Sequence, residues 1–301
     1  MSEIIRIATR NSPLALRQAN IVKDILKDSV KSKLIPMTSS GDSATSKEFK
    51  KLGGKGLFLK ELEESLLSGD TDIAVHSLKD VPFILNSKFE ITTISTREVP
   101  MDAFISNKFR SIYDLPKNAV IATSSPRRIA VLKSISRDFK IVEIRGNIQT
   151  RLKKLKEENY DGIILAAAGL HRMSIQKEIT EYLPIKQSVP SAGQGILCIE
   201  YLKKNMNIKR MLKKYKNQDV DRCAAEERSF IGMLDGDCLS PIGAHAMIQK
   251  EQISLTGFVA SKDGNNFIKT TCEASIREGI GVGKKLGNIF IKQGAKKLLR
   301  K

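Results

Sequence analysis

Tryptophan is absent from this sequence, and aromatic residues as a whole make up 5% of it. Binding modes that rest on stacked rings, such as single-stranded nucleic-acid platforms, therefore lack their usual material. Cysteine is sparse: Cys198, Cys223, Cys238 and Cys272 are widely scattered, with no CxxC pair. That spacing argues against a disulfide framework or a zinc ribbon. His76, His171 and His245 are equally dispersed, so no metal site is expected. No apolar run approaches the ~18–20 residues that cross a bilayer, which leaves no role for a membrane. Met1-Ser2-Glu3 and the short β-branched run behind it do not form a basic-then-apolar secretory signal. A cytoplasmic location is the default expectation. Pro/Gly/Ser-rich linkers and long polar tracts are also missing, so nothing reads as disordered.

What is present is a chain of 301 residues, 41% of them apolar, enough for two or three domains with ordinary cores. The formal charge of +18 raises a nucleic-acid reading. Its densest stretch runs from Lys203 to Lys216, and the chain ends Lys296-Lys297-Leu298-Leu299-Arg300-Lys301. Neither run interleaves a series of aromatic side chains, and surface lysine is ordinarily a solvated face. No nucleic-acid partner is expected, and salt-dependent binding to generic DNA or RNA is the test of that rival.

Short β-branched runs alternate with amphipathic helical patterns through the first two-thirds, which predicts α/β lobes. Ile4 to Ala8 reads as a strand. Ser12-Pro13 then offers a helix cap and first-turn proline, with Ala15, Ala19, Val22 and Leu26 at helical spacing. Phe58, Leu62 and Leu66 make a second stripe that stops at Gly69, and residues 72–76 return as a strand. The scheme repeats between about residues 96 and 195. Strands are predicted at 120–122, 141–144 and 162–166, and helices at 129–135 and 147–159. From about residue 214 the pattern changes to a helix (220–234), three strand-like runs and a final helix. Three domains are expected: residues 1–95 with 196–213, residues 96–195, and residues 214–301, the last a small α+β domain.

One internal echo links the first two. Ile7-Ala8-Thr9-Arg10-Asn11-Ser12-Pro13 and Ile121-Ala122-Thr123-Ser124-Ser125-Pro126-Arg127 both read strand, polar turn, Ser-Pro helix start. Carboxyl ends of strands in open α/β sheets are where ligands bind, and helix N-termini favour anions. Arg10, Arg127, Arg128, Arg145 and Arg151 all sit in or beside loops after strands, with Arg172 just past another. Guanidinium suits bidentate binding of carboxylate or phosphate. The bland reading of any one of these arginines is surface solvation or helix-start decoration; their recurrence at one topological place makes a polyanionic ligand the better account.

Two further runs carry candidate chemistry. Leu52-Gly53-Gly54-Lys55-Gly56-Leu57-Phe58 lacks Walker spacing, so it reads as a lid or substrate-adjacent loop, or as a plain turn before a helix. His76-Ser77-Leu78-Lys79-Asp80-Val81-Pro82 leaves a strand with a lysine and a carboxylate side by side. That pair is either a solvated ion pair or, beside an arginine-lined cleft, a proton-transfer group. Spacing leaves both open.

These runs, with Arg145-Gly146-Asn147, Ala168-Gly169-Leu170, Gly193-Gln194-Gly195 and Gly236-Asp237-Cys238-Leu239-Ser240-Pro241-Ile242-Gly243, closely resemble the porphobilinogen deaminase (hydroxymethylbilane synthase) family, in family order and over nearly the whole chain. The resemblance implies two periplasmic-binding-protein-like lobes with a small C-terminal α+β domain. It implies a monomer that condenses four porphobilinogen molecules head to tail on a covalent dipyrromethane cofactor, then releases hydroxymethylbilane by hydrolysis. Cys238, which by itself reads as an ordinary buried cysteine, matches the thioether position; the other three cysteines remain structural. Asp80 matches the catalytic aspartate, which helps the amine depart and stabilises the azafulvene cation and the pyrrole nitrogens.

Each pyrrole brings an acetate and a propionate, so six rings crowd a dozen carboxylates together and need cationic partners. Arg10, Lys79, Arg127, Arg128, Arg145 and Arg151 match positions that hold these groups, with Ser12, Thr123 and Ser125 as neutral donors. Arg172 matches an arginine of chain handling, Lys51 and Lys55 positions near the cofactor or lid, and Phe58 and Gln194 lie in matched binding motifs. The chain departs from the family pattern at Pro126, which suits a first helical turn, and at Asp237, whose charge disfavours a neighbouring thiolate. A non-catalytic two-lobed binding protein is the other rival; it has no use for Asp80 or for a third domain presenting a cysteine.

Overall fold

The computed structural model describes residues 4–38, 59–237, 239–277 and 281–300. The chain divides into two compact units, Met1–Arg97 with Ile196–Arg222, and Glu98–Gly195 with Cys223–Lys301.

In the first unit, the predicted opening strand is β1 (Ile5–Arg10), running two residues further than its apolar pattern. It pairs in parallel with β2 (Ser32–Met37) and β3 (Ile73–Ser77). Beyond β3 the sheet continues with β10 (Leu197–Leu202) and β4 (Phe89–Ile94), β10 antiparallel to both. The segment after Gly195 thus completes this sheet from within. Helix α1 (Pro13–Leu26) starts where Ser12 accepts a hydrogen bond from the Ala15 N–H at 3.3 Å, with Pro13 in its first turn. Its buried residues Ala19, Val22 and Leu26 meet Ile7, Ile73, Val75 and Ile199 on one face of the sheet. Helix α2 (Lys60–Ser68) covers the other face with Leu62 and Leu66 against Ala8, Ala74 and Phe89, and ends at Gly69, whose φ of +80° needs glycine. Each fully buried Leu or Ile here contributes about 1.5–3 kcal/mol.

The second unit repeats this order. β6 (Val120–Ala122) pairs in parallel with β7 (Lys140–Val142) and β8 (Gly162–Ala166), while β5 (Asp102–Ile105) runs antiparallel to β8 and to β9 (Glu181–Leu183). Helix α3 (Pro126–Ile135) begins with Ser125 as cap and Pro126 in its first turn, the counterpart of Ser12-Pro13. It starts three residues before the apolar stripe that announced it. Helices α4 (Ile148–Glu157) and α5 (Ala167–Arg172) follow β7 and β8. β7 ends at Val142 rather than 144, because Glu143 onward leaves the sheet.

The same unit carries an antiparallel three-stranded sheet, β11 (Ile242–Gln249), β12 (Gln252–Ala260) and β13 (Phe267–Ser275). Helix α7 (Gln218–Met233), which follows α6 (Met206–Leu212), packs on it with α8 (Val282–Lys292) and α9 (Ala295–Arg300); Phe230 and Phe290 meet edge to face at 4.9 Å. The single final helix expected from sequence is two, broken at Gly294 with φ +88°. Ala130, Val131 and Val189 pack against Phe258 and Ala260, joining α3 to β12. Fully buried Glu227 accepts from the N–H groups of Gly193 (2.6 Å) and Ala246 (2.7 Å). The α/β class, with two lobe sheets and a small C-terminal α+β part, is as expected.

Candidate active site

In the first unit the parallel pairing of Ala8 with Ala74 brings the carboxyl ends of β1 and β3 to one edge. Arg10 closes β1, and Ser12 caps α1. At the exit of β3 a single 3-10 turn, Leu78–Asp80, places buried Leu78 inward, Lys79 half-buried and Asp80 exposed. The turn is fixed from several sides. Leu78 N–H donates to Ile196 O (3.0 Å), Val81 N–H to Leu78 O (3.1 Å), and Gln18 Nε2 to Ser77 Oγ (2.9 Å).

In the second unit the corresponding edge gathers arginines. Thr123 is buried and its Oγ1 accepts from the Ser125 N–H at 3.3 Å; Ser125 Oγ accepts from the Arg128 N–H. Arg127 is 2% exposed. Its guanidinium donates to both oxygens of Asp102 (2.7 and 3.1 Å), to Ser191 Oγ (3.2 Å) and to Val189 O (2.8 Å). Arg128 donates to Asp102 Oδ1 (Nε, 3.0 Å) and to Ile164 O (3.0 Å). Ser188 Oγ and the Gln194 amide also donate to Asp102, at 2.7 and 3.1 Å.

Asp102 was not among the residues singled out from sequence. It reaches this edge because β5 runs opposite to β8, setting its first residue beside Ala166 at the end of β8. Burial works against its charge, but the Arg127 and Arg128 guanidiniums and the hydrogen bonds outweigh it and hold the carboxyl far below its ordinary range. Gln194 reaches it from a turn in which both neighbours, Gly193 (φ +75°) and Gly195 (φ +87°), need left-handed backbone. The family-motif glycines thus serve to aim one amide inward.

Further along the edge, Arg145 Nε donates to Glu143 Oε1 (2.7 Å) and Arg151 Nε to Gly146 O (2.8 Å). Burial, then the Arg128 and Arg145 charges, bring the Arg151 guanidinium down to about 10. Arg128 is lowered as well, by burial first, then Arg127, with Asp102 pulling the other way. Arg172 donates to Gly195 O at 2.7 Å and is brought to about 10 by burial, against the pull of Glu98. Arg127, Arg128, Arg145 and Arg151 therefore assemble in one unit, while Arg10, Ser12, Lys79 and Asp80 stand in the other at the carboxyl-end edge of β1 and β3. Lys51, Lys55, Phe58 and Cys238 lie outside the described residues. Beside position 238, Asp237 Oδ1 accepts from the Leu239 N–H (3.0 Å) and the Ser240 hydroxyl (2.7 Å), so this carboxylate is occupied within its own turn.

Such an edge suits an anion with several carboxylates. The profile described as porphobilinogen deaminase, dipyromethane cofactor binding domain, matches residues 5–210, and the C-terminal domain of the same family matches residues 221–292. This chain belongs to the porphobilinogen deaminase family. Among its relatives, the porphobilinogen deaminase of Ruthia magnifica is 43% identical over 303 residues, covering all of both chains. That of Francisella philomiragia is 44% identical over the same span and coverage. A putative methionine-binding lipoprotein of Bacillus subtilis has a solved structure that covers 72% of this chain and 91% of its own, at 12% identity and a TM-score of 0.45. Membership of the porphobilinogen deaminase family rests on the sequence relatives. Among the described residues no helix is long and apolar enough to cross a membrane, and no group of three or more His, Cys, Asp or Glu is placed to hold a metal ion.

Proposed function

We propose that this chain is a porphobilinogen deaminase that condenses four porphobilinogen molecules head to tail on a dipyrromethane joined to Cys238, and releases hydroxymethylbilane for tetrapyrrole synthesis. The observation that carries the reading is the gathering of Arg128, Arg145 and Arg151, with the Arg151 guanidinium lowered first by burial and then by the other two charges. Asp102 answers Arg128 and Glu143 answers Arg145, while Arg151 Nε donates to a neutral carbonyl, so an arriving anion adds compensation where like charge is crowded. Paired acetate and propionate groups on successive pyrroles are such an anion, so the residues present fit the cofactor. When bound, that group supplies the pyrrole carbon on which the chain is extended.

The protein's own residues divide the work. Arg128, Arg145 and Arg151 hold carboxylates, and Arg10 and Lys79 do the same beside Asp80. Arg127, turned onto Asp102, Ser188, Ser191 and Val189, sets the direction of Arg128 more than it reaches outward. Thr123 and Ser125 shape the start of α3, and Gln194 steadies Asp102. Asp80, exposed at the end of a pinned turn, gives a proton to the departing amine and then faces the cationic ring as a carboxylate. One such group is worth ~10²–10⁴ in rate. Lys51, Lys55 and Phe58 complete the binding set from the glycine-rich run, and Arg172 assists passage of the lengthening chain.

Three domains, residues 1–95 with 196–213, 96–195 and 214–301, are consistent with three sheets that each have their own core. The enzyme works as a cytoplasmic monomer, which light scattering at assay concentration tests. Activity is tested by supplying porphobilinogen and following ammonia and linear tetrapyrrole together. Wild type is expected to release four ammonia per tetrapyrrole, and Asp80→Asn to fold while losing most turnover. Near-normal turnover in that variant removes Asp80 from the mechanism.

A further inference from the structure

Behind Asp80, on the α2 side of the first unit's sheet, lie three ionisable side chains that no step above uses. His76 is on β3, Glu200 on β10 and Glu63 on α2. His76 Nε2 and Glu200 Oε2 are 3.0 Å apart, with Glu200 0% and His76 6% exposed. Their strands are antiparallel neighbours in which Glu200 stands opposite Ala74 and Cys198 opposite His76, so the hydrogen bond is a diagonal cross-link. Glu200 Oε1 is buried and has no hydrogen-bond partner. Glu63, half-buried, is pushed up to about 7 by its burial and by the Glu200 charge, against the pull of His76.

An apolar side chain at Glu200 would avoid this cost. A fully buried carboxylate with one oxygen unsatisfied lowers stability, and such groups call for a functional explanation. The explanation lies one turn along the chain. β3 is fastened on its α1 face by Gln18 on Ser77, and along its edge by Leu78 N–H on Ile196 O. The His76–Glu200 bond is the corresponding fastening on the α2 face, four residues before Asp80. With it, the strand end is held from both faces and the 3-10 turn leaves in one direction.

We propose that His76 and Glu200 are positioning residues for the Asp80 carboxyl group. They touch no substrate. They act by fixing the strand from which Asp80 projects, and a displacement of ~1 Å at a reacting group costs on the order of a hundredfold in rate. The role rests on the deaminase reading, so both are tested together on purified holoenzyme.

Glu200→Ala, Glu200→Gln and His76→Asn are compared with wild type by steady-state kinetics with porphobilinogen, circular dichroism and intact mass. Glu200→Ala and His76→Asn are expected to fold, carry the covalent adduct, and lose about ten- to a hundredfold in kcat with KM within about twofold. Glu200→Gln keeps an oxygen acceptor for the imidazole N–H and is expected to recover most of that loss. Should Glu200→Ala fail to fold, His76→Asn and Glu200→Gln still read the same difference. Wild-type kcat in a folded, loaded His76→Asn, or a change confined to KM, overturns the positioning role. A wild-type chain that makes no linear tetrapyrrole overturns the reading beneath it instead.

Discussion

The Asp102 carboxylate meets the two terminal nitrogens of the Arg127 guanidinium end on, with nitrogen–oxygen distances of 2.7 and 3.1 Å and neither group more than 2% exposed. Arg128 takes the same carboxylate at 2.8 Å. Removing one partner of such a set leaves buried charge without compensation, which costs about 3–5 kcal/mol. Asp102→Asn is therefore expected to lower the free energy of urea unfolding by that much. Since the folded pKa of Asp102 is depressed, its contribution is complete above the unfolded value of ~3.9 and fades only as pH falls below it. A loss under about 1 kcal/mol at pH 7 contradicts the hub.

Glu63 has the opposite sign. Its carboxyl is raised to about 7, so the folded state holds a proton that the unfolded state has released. Its stabilisation is full below the unfolded value of ~4.3 and is lost as pH rises through 7. Between pH 5 and 8 the wild-type melting temperature carries this downward slope, and Glu63→Gln removes it. Melting curves with identical slopes for both proteins would show that Glu63 does not hold the proton.

Arg151→Gln takes away one guanidinium from the crowded edge without touching Asp102. A hydrogen bond to a charged group is worth about 1.5–3 kcal/mol, so KM for porphobilinogen is expected to rise about ten- to a hundredfold. Covalent loading of the chain slows in parallel. Added salt screens the remaining cations, so the variant's KM depends on ionic strength less steeply than that of wild type. An unchanged KM removes Arg151 from substrate holding.

Gly243, at the start of β11, lies so close to residues 189–190 that a Cβ there would stand 2.5 Å from Val189 O and 3.0 Å from Pro190 O. Both are backbone atoms and cannot rotate aside. Gly243→Ala is expected to cost about 1–3 kcal/mol in chemical denaturation. Wild-type stability would show that β11 does not rest on that segment as described.

How much of this was legible in the sequence depends on the range of each interaction. The starts of α1 and α3 are local events, a serine oxygen on a backbone N–H and a proline behind it, and Ser12-Pro13 and Ser125-Pro126 announce them. The recurrence of arginines after strands was legible for the same reason. β10 entering the sheet between β3 and β4 was visible only as a segment that completes the lobe, because its partners are more than a hundred residues away. Short strands such as β5 and β9 carry no period long enough to read. The inward turn of Arg127 depends on Asp102, Ser188 and Val189, and Asp102 reaches them only through the antiparallel direction of β5. Nothing near Asp102 in sequence signals that, and likewise nothing near His76 signals Glu200.

The most direct test of the whole reading is the intact mass of the purified chain, with Cys238→Ser beside it. Expressed where porphobilinogen is available, the wild-type protein should carry added mass equal to two linked pyrroles, and the serine variant none. A wild-type chain at its unmodified mass, or an adduct that survives the serine substitution, contradicts it.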